Sequence, residues 1–223
     1  MNAGGLPTDR ATVAVLASGG LDSAILVGEL LRQGRAVQPI YIRFGLTWEA
    51  VEETHLRRFL ETMPARGLVT LGFPIADVYG AHWSLSATDV PDADSPDDAV
   101  YLPGRNLLLV AKAAVWCALH DISTIALGTL KGNPFSDSSA TFFAGLASVV
   151  QTGLDWPFEI VTPFSELTKA HVLDLGRELP LQHTFSCIQP EGEQHCGRCN
   201  KCAERRRAFS DLSLEDVTAY ATA

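Results

Sequence analysis

The chain has 223 residues, enough for one large α/β domain with a full hydrophobic core. Its net charge is −9, with 47% hydrophobic and 19% charged residues, which is typical of an ordinary globular protein. The acidic balance disfavours nucleic acid as the main substrate, because that binding depends on neutralising phosphates, although residues 205–207 are locally basic. No apolar run is long enough to span a bilayer. Residues 1–10 resemble a disordered lead-in and no signal peptide, so we expect a cytoplasmic protein.

The first predicted elements are a strand, a glycine-containing turn and a helix. Residues 12–17 form an uncharged aliphatic run typical of a buried parallel strand, and residues 24–32 predict a helix. Between them lies the sequence SGGLDS, residues 18–23. Glycines let backbone N–H groups approach a phosphate, and a helix N-terminus favours negative charge. The turn has no lysine and is not the G-x-x-x-x-G-K-[ST] P-loop. The alternative to an anion site is a simple strand-to-helix turn.

The segments that follow alternate between strand and helix patterns. Strands are predicted over 36–44, 67–73, 123–127 and 158–161, and helices over 48–63, 107–119, 139–153 and 165–179. The 107–119 helix is apolar nearly all round, which predicts that it is largely buried. Residues 87–104 are rich in Asp, Pro and Ser and predict a long exposed loop, with a lid as one interpretation. This order predicts a doubly wound, mostly parallel α/β sheet that binds ligands beyond the carboxyl ends of its strands.

Four of the five cysteines cluster near the C-terminus with the spacing C-x8-C-x2-C-x2-C. They are Cys187, Cys196, Cys199 and Cys202. Four thiolates satisfy tetrahedral Zn²⁺ without an open position, so a structural zinc site is favoured over the alternatives, an Fe–S cluster or free thiols. Gly197 permits a tight turn, Arg198 and Lys201 are expected to offset the thiolate charge, and His195 is a minor option as a replacement ligand. The remaining Cys117 lies in an apolar helical segment and is predicted to be a buried core residue.

Several motifs occur in a fixed order. They are SGGLDS at 18–23, LPGRN at 102–106, LTKA at 167–170, TFSC at 184–187 and the cysteine cluster with Arg205 and Phe209 behind it. SGGLDS is similar to the PP-loop of the N-type ATP pyrophosphatases, which adenylate an oxygen of their substrate and expel pyrophosphate. GMP synthetase, NAD synthetase and tRNA-modifying enzymes share that loop. The complete set, over about residues 13–209, resembles the QueC/ExsB family of 7-cyano-7-deazaguanine synthases.

The resemblance implies a reaction and a domain organisation. Such enzymes convert 7-carboxy-7-deazaguanine and ammonia to 7-cyano-7-deazaguanine (preQ0) in queuosine biosynthesis, with two ATP, through adenylated carboxylate and amide intermediates. The implied domains are a PP-loop ATP-binding domain over 11–180 and a zinc-containing helical segment over 181–223 packed on it. The implied cofactors are ATP, Mg²⁺ and structural Zn²⁺. The implied partners are the deazaguanine carboxylate and ammonia, with no membrane, and a homodimer is left open.

The resemblance also implies roles for individual residues. The expected catalytic residues are Asp22, near Mg²⁺, Arg105 and Lys169. The expected ATP contacts are Leu16, Ala17, Ser18, Gly19, Gly20, Leu21, Asp22, Ser23 and Asn106. The expected substrate contacts are Phe44, Asp137 and Phe142. Phe44, Trp48, Phe135 and Phe142 are candidates for stacking on a flat heterocycle, with core packing as the alternative for each. For Arg105 and Lys169 the alternative is a solvated helical position.

Two segments depart from the family pattern. The family usually has a Gly-Tyr-Pro-Asp-Cys-Arg segment, whereas residues 132–143 carry Ser139 in place of that Arg. A lost Arg removes a bidentate carboxylate contact. The family's Tyr-Gly-Gln-Arg-His segment is replaced by FGLTW at 44–48. The sequence therefore indicates ATP-dependent activation of a substrate more strongly than it indicates which substrate is activated. Two alternatives stay open, a ligase that adenylates another small-molecule or protein carboxylate, and a non-catalytic zinc-containing binding module.

Overall fold

A computed structural model describes residues 12–222, so the predicted lead-in over 1–10 lies outside the described residues. Its sheet comprises Thr12–Leu16 (β1), Ala36–Arg43 (β2), Val69–Gly72 (β3), Thr124–Ala126 (β4) and Glu159–Val161 (β5). The strands are all parallel, in the order β3-β2-β1-β4-β5. The predicted doubly wound parallel sheet is confirmed. Its strand order reverses at β1, where such sheets form a ligand crevice at the carboxyl edge.

The described residues form eight α-helices that cover and flank this sheet. They are Leu21–Arg32 (α1), Glu49–Glu61 (α2), Ala76–Tyr79 (α3), Trp83–Ser86 (α4), Arg105–Ala118 (α5), Ala140–Leu154 (α6), Lys169–Leu175 (α7) and Asn200–Asp211 (α8). Short 3₁₀ turns occupy Asp97–Val100, Ser136–Ser138 and Leu181–His183. Within residues 12–222, none of the helices combines the length and the apolar character needed to cross a bilayer.

The sheet buries apolar side chains on both faces, as β1 illustrates. Val13 and Val15 belong to an apolar cluster with side chains of α1, α7 and α8. Ala14 and Leu16 belong to a second cluster with α5, α6 and the four clustered cysteines. Since side chains alternate along a strand, an uncharged strand of this kind is stable only between two layers. The cysteine segment therefore shares its apolar core with the sheet.

Helix α5 is less buried than predicted. Val110 and Cys117 are fully buried, as expected for Cys117. Leu107, Val115 and Leu119 on the other side of the segment are 44%, 48% and 77% exposed, so the prediction of a largely buried helix is wrong. A helix on a sheet covers it with one face, and apolar composition alone does not determine whether the opposite face is covered.

The predicted 165–179 helix is also shorter than expected. Helix α7 covers only Lys169–Leu175, because the Thr168 side chain caps its N-terminus by accepting the His171 N–H and the helix ends at Gly176. Residues 162–167 form turns instead. Lys169 is consequently the first helical residue, just beyond the carboxyl end of β5.

Candidate active site

The SGGLDS turn joins β1 to α1 at the carboxyl edge of the sheet. Gly19 has a φ of +80°, and a Cβ there would lie 3.1 Å from Leu56 Cβ, so both backbone and space require glycine. Gly20 precedes α1 and provides no side-chain cap, which leaves the first N–H groups of the helix available to an anion. The hydroxyls of Ser18 and Ser23 lie 3.3 Å apart. The turn therefore offers backbone donors and two hydroxyls at one place.

A cavity of about 290 Å³ opens beside this turn. Its walls come from the turn, α2, the 87–104 loop, the 132–143 segment, α7 and the C-terminal segment. The predicted site residues that line it are Ser18, Gly20, Leu21, Asp22, Arg105, Asn106, Asp137 and Lys169. Motifs far apart in the sequence thus converge on one small-molecule-sized cavity.

The other predicted contacts lie elsewhere. Leu16, Ala17 and Phe44 line an adjoining cavity of only about 40 Å³, beneath the turn. Gly19 and Ser23 are buried within the turn itself. Phe44 is 1% exposed, and Phe142 packs against the neighbouring Phe143 ring, 5.4 Å away, outside the main cavity. The structure therefore does not support ligand stacking on Phe44 or Phe142, because both rings take part in apolar packing.

Other aromatic side chains line the main cavity. Tyr101 and Phe135 stack with ring centroids 4.8 Å apart and an interplanar angle of 20°. Trp48 and Phe185 also line the cavity, and the Trp48 ring stacks on the Trp83 ring with centroids 5.7 Å apart. Phe135 and Trp48 were candidates from the sequence, whereas Tyr101 and Phe185 were missed. Each missed ring is adjacent to or inside a motif, before LPGRN and within TFSC, and that proximity is the signal that could have identified it.

A chain of ion pairs crosses the cavity from the SGGLDS turn to α8. Lys169 Nζ donates to the two carboxylate oxygens of Asp22 at 2.9 and 2.8 Å and lies 3.3 Å from Glu204 Oε1. Lys201 Nζ donates to Glu204 Oε2 at 2.6 Å. Burial alone would lower the pKa of Lys169, but the charges of Asp22 and Glu204 outweigh burial and raise this pKa above its ordinary value. Burial likewise opposes ionisation of Glu204, but Lys169 and Lys201 lower its pKa to about 2.

Lys201 therefore differs from its predicted role. It was expected to offset the charge of the cysteine thiolates, but its ammonium group pairs with Glu204. Glu204 itself was missed. Lys201 and Glu204 are three residues apart in a helix, the spacing at which opposite charges interact, and that spacing was the available signal.

Two buried glutamates lie on the inner face of α2. Glu52 is 8% exposed and accepts the Tyr41 hydroxyl at 2.7 Å. Burial raises the pKa of Glu52 to about 7, although Arg105 and the Tyr41 hydrogen bond oppose the rise. Glu49 accepts the N–H groups of the two residues after β2 at 2.5 and 2.8 Å. Within the described part of the chain, the buried Arg105 Nε has no hydrogen-bond partner and remains available to a ligand.

Asp137 joins the 132–143 segment to the start of α5. Its Oδ2 accepts the Asn106 N–H at 3.0 Å, and Asn106 Nδ2 donates to the Asp137 carbonyl at 2.9 Å. Gly104 at the N-cap position of α5 provides no side-chain cap. Asp137 therefore supplies the missing cap from a distant segment, which fixes the position of Arg105 in the first turn.

The four clustered cysteines are buried, with their sulfur atoms within 4.8 Å of one another. Cys187 Sγ lies 3.8 Å from Cys199 Sγ, and Cys196 Sγ lies 3.9 Å from Cys202 Sγ. A tetrahedral ion with metal–sulfur bonds of about 2.3 Å separates its ligands by roughly 3.8 Å. The four residues therefore fit a single metal ion. His195 Nε2 accepts the Ser186 N–H at 3.1 Å instead, so the structure does not support it as a ligand.

The cysteine knuckle, residues 187–202, also holds the 87–104 loop. Ala93 N–H donates to the Arg198 carbonyl at 2.9 Å, and Asn200 N–H donates to the Pro91 carbonyl at 3.0 Å. Asn200 Nδ2 donates to the Ser95 carbonyl at 2.8 Å. The loop, which carries Tyr101 into the cavity wall, is therefore attached to the knuckle by hydrogen bonds.

Solved structures with this fold include proteins with roles in tRNA modification. One is described as a predicted subunit of tRNA methyltransferase from Methanocaldococcus jannaschii, with a TM-score of 0.51, 18% identity and coverage of 92% of this chain and 89% of the other. Another is the U34-tRNA thiolase NcsA from Methanococcus maripaludis, with a TM-score of 0.50, 12% identity and coverage of 96% and 78%. At these identities the likeness concerns the fold.

Sequence relatives are more specific. The family model of queuosine biosynthesis protein QueC matches residues 12–213. A 7-cyano-7-deazaguanine synthase from Desulfotalea psychrophila is 29% identical, over 92% of this chain and 97% of the relative. A protein of the same name from Methanocaldococcus jannaschii is 27% identical, over 91% and 96%. The resemblance inferred from the motifs is confirmed, and the chain belongs to the QueC family.

Proposed function

We propose that this protein is an ATP-dependent ligase that converts 7-carboxy-7-deazaguanine and ammonia to 7-cyano-7-deazaguanine. One observation carries the proposal: a single cavity joins the SGGLDS turn, Arg105 and the stacked Tyr101–Phe135 pair. These are a phosphate site, a cation and a flat apolar wall, which together suit a nucleotide and a heterocyclic carboxylate. The names of the curated relatives support the same reaction.

The SGGLDS turn is the proposed site of the ATP phosphates. Its N–H groups and the Ser18 hydroxyl would bind phosphate oxygens, the buried Ser23 hydroxyl would support Ser18, and Asp22 would help to hold Mg²⁺. When bound, ATP supplies the adenylyl group that makes an inert carboxylate reactive and expels pyrophosphate. Lys169 would neutralise phosphate charge, since it already lies against Asp22. The protein's contribution is positioning and charge stabilisation.

Arg105 and the aromatic wall are the proposed substrate contacts. The planar heterocycle would pack on Tyr101 and Phe135, and Asp137 at the cavity wall would accept one of its N–H groups. The guanidinium of Arg105, whose Nε is buried without a partner in the described residues, would bind a carboxylate or phosphoryl oxygen.

Ammonia, either free or supplied by a partner protein, is the proposed nitrogen source. Hydrolysis of glutamine by a cysteine nucleophile needs an accessible thiol. Cys117, the one cysteine outside the knuckle, is fully buried in the core, so this chain offers no such group.

Zn²⁺ is the proposed metal of the knuckle, in a structural role. The sulfur separations of 3.8 and 3.9 Å suit direct ligation of one ion. An Fe–S cluster would insert iron and sulfide atoms between the cysteines and spread them further apart. We further propose that residues 181–223 form a zinc-containing segment of the 11–180 domain, since the cysteines share its apolar core.

The direct test is to incubate the protein with ATP, Mg²⁺, ammonium and 7-carboxy-7-deazaguanine and to analyse the products by mass spectrometry. We expect the nitrile, two AMP per nitrile, and no nitrile when ammonium is omitted. AMP formation that does not depend on the deazaguanine would contradict the proposed substrate and redirect the search to another carboxylate.

A further inference from the structure

Helix α8 presents two charged side chains to the cavity that none of the motifs explains. Lys201 lies between the metal-ligand candidates Cys199 and Cys202, and Glu204 follows three residues later. Both line the main cavity and also a neighbouring cavity of about 340 Å³. They therefore lie where the two cavities meet, together with Asp22 and Lys169, which line both as well.

At this junction two ammonium groups share one carboxylate. Lys169 Nζ lies 3.3 Å from Glu204 Oε1, and Lys201 Nζ lies 2.6 Å from Glu204 Oε2. The lysines come from different helices, α7 and α8, and meet only through Glu204. The side chains of Lys169, Lys201 and Glu204 remain 25%, 31% and 32% exposed, so solvent and ligands reach all three. A phosphate group has the charge and the acceptor oxygens to bind the same two lysines.

We propose that Lys201 is a second phosphate-binding lysine and that Glu204 is its internal counter-anion. The pyrophosphate expelled from ATP takes the place of the Glu204 carboxylate between Lys169 and Lys201. This inference rests on the proposed function, because only adenylation releases pyrophosphate. The return of Glu204 to the lysines then assists pyrophosphate release, since carboxylate and product compete for the same cations.

The position of Lys201 follows from the knuckle. Its backbone lies between Cys199 and Cys202, whose sulfur atoms belong to the buried four-sulfur cluster. An ion bound there fixes the backbone of Lys201 and so directs its ammonium group to the cavity. A structural metal thereby influences the nucleotide site through one side chain.

The test is calorimetric titration of the metal-loaded protein with magnesium pyrophosphate. We expect Lys201→Met to weaken binding about tenfold, because one charge-assisted contact is lost, and Lys201→Arg to retain most of the affinity. Glu204→Gln should bind pyrophosphate several-fold more tightly and release it more slowly. The matched control is Lys112→Met, because Lys112 lies over the Phe73 ring, 5.7 Å from its centroid, and does not line either cavity.

Unchanged affinity in Lys201→Met would overturn the inference, as would weaker binding in Glu204→Gln or no pyrophosphate binding by the unaltered protein. Metal content is measured for every variant. If Lys201→Met loses metal, then Lys201→Arg and Glu204→Gln decide the outcome. Nitrile formation is assayed separately. Pyrophosphate binding without nitrile formation contradicts the proposed function alone, whereas nitrile formation with unchanged binding in Lys201→Met contradicts only the role of Lys201.

Discussion

The two ends of the site, the SGGLDS turn and the cysteine knuckle, acquire their shapes in different ways. The turn is six consecutive residues that follow a strand buried on both faces and continue into the first turn of a helix, so these two elements determine its geometry. The knuckle contains no regular strand, and its four sulfurs surround one point. The turn should therefore keep its shape without a ligand, whereas the knuckle should depend on its metal. Lys169 and Glu204 connect the two ends.

Metal loss is the change with the largest expected effect. Chelation, or Cys199→Ser, should lower the free energy of unfolding by about 5 kcal/mol or more, because metal binding and local folding are one process. That corresponds to a fall in Tm of roughly 10–20 °C for a chain of this size. Metal analysis and thermal unfolding measure both quantities. The buried Cys117, substituted by Ala, is the matched control and should lose only about 1 kcal/mol.

An unchanged Tm after complete metal removal would contradict this difference, because the knuckle would then keep its structure without a ligand, as the turn is expected to do. Loss of the metal should also loosen the 87–104 loop, which is hydrogen-bonded to the knuckle through Asn200. Hydrogen exchange of that loop measures this effect.

Asp22→Ala tests the other end of the site. We expect ATP turnover to fall by about 100-fold or more, because a charged group of the proposed phosphate site is lost. The fold should be nearly unaffected, since the Asp22–Lys169 pair is partly exposed and such pairs contribute little to stability. AMP formation and thermal unfolding separate the two effects. Glu29→Ala, in the same helix but paired with Arg32 on its outer side, should leave turnover unchanged.

We expect the Glu52→Gln variant to differ from the unaltered protein in how its free energy of unfolding depends on pH. Burial raises the pKa of Glu52 from 4.5 to about 7, so the folded protein binds this proton more tightly than the unfolded chain. The stability contribution of Glu52 therefore falls as pH rises from about 4.5 to about 7. Gln cannot ionise, so the variant should be more stable by about 3 kcal/mol at pH 8 and similar at pH 4. Denaturant unfolding at several pH values checks this difference.

The neighbouring Glu53 is the control for that experiment, because its pKa is shifted in the opposite direction. Burial alone would raise the pKa of Glu53, but hydrogen bonds from Arg57, Arg43 and Thr70 outweigh burial and lower this pKa. Glu53→Gln should therefore lose stability at neutral pH and differ less from the unaltered protein in acid. Equal responses of the two variants would contradict the assignment of Glu52 as a buried, weakly ionised group.

Asp137→Ala has the smallest expected effect. Removing the cap that Asp137 Oδ2 provides to the Asn106 N–H should cost about 1 kcal/mol and raise KM a few-fold as Arg105 becomes less well positioned. Urea unfolding and steady-state kinetics measure the two changes. Asp137→Asn keeps an acceptor and should recover most of both. A full loss of kcat in Asp137→Asn would instead assign Asp137 a charged role in the reaction.

The strongest sequence predictions concerned local patterns. The uncharged β1 run, the SGGLDS turn and the cysteine spacing each depend on residues close together in the chain, so the strand, the turn and the four-sulfur cluster were predictable. Helix lengths were less predictable from the sequence. Helix α7 is short because Thr168 caps its start and Gly176 ends it, and the apolar α5 leaves Val115 exposed because nothing in the described structure covers that side.

The missed site residues have a common cause. Tyr101, Glu52 and Glu204 lie outside the motifs, and Phe185, although inside TFSC, is not marked by that motif as a cavity residue. Each reaches the cavity only because separate elements pack together. Phe44 and Phe142 were better candidates by residue type, but packing directs them into apolar clusters. Residue type predicts what a side chain can do, and packing determines where it can act.

Local patterns in the sequence were enough to predict the parallel α/β architecture, the position of the SGGLDS turn, the four-cysteine cluster and the family. These follow from strand and helix periodicity and from motifs whose residues are near neighbours. Packing of distant segments sets which charges meet: Lys169 with both Asp22 and Glu204, Glu52 beside Arg105, and Asp137 at the start of α5. Those pairings join residues as far as 147 positions apart, and long-range contacts of this kind are fixed only by how the helices pack on the sheet.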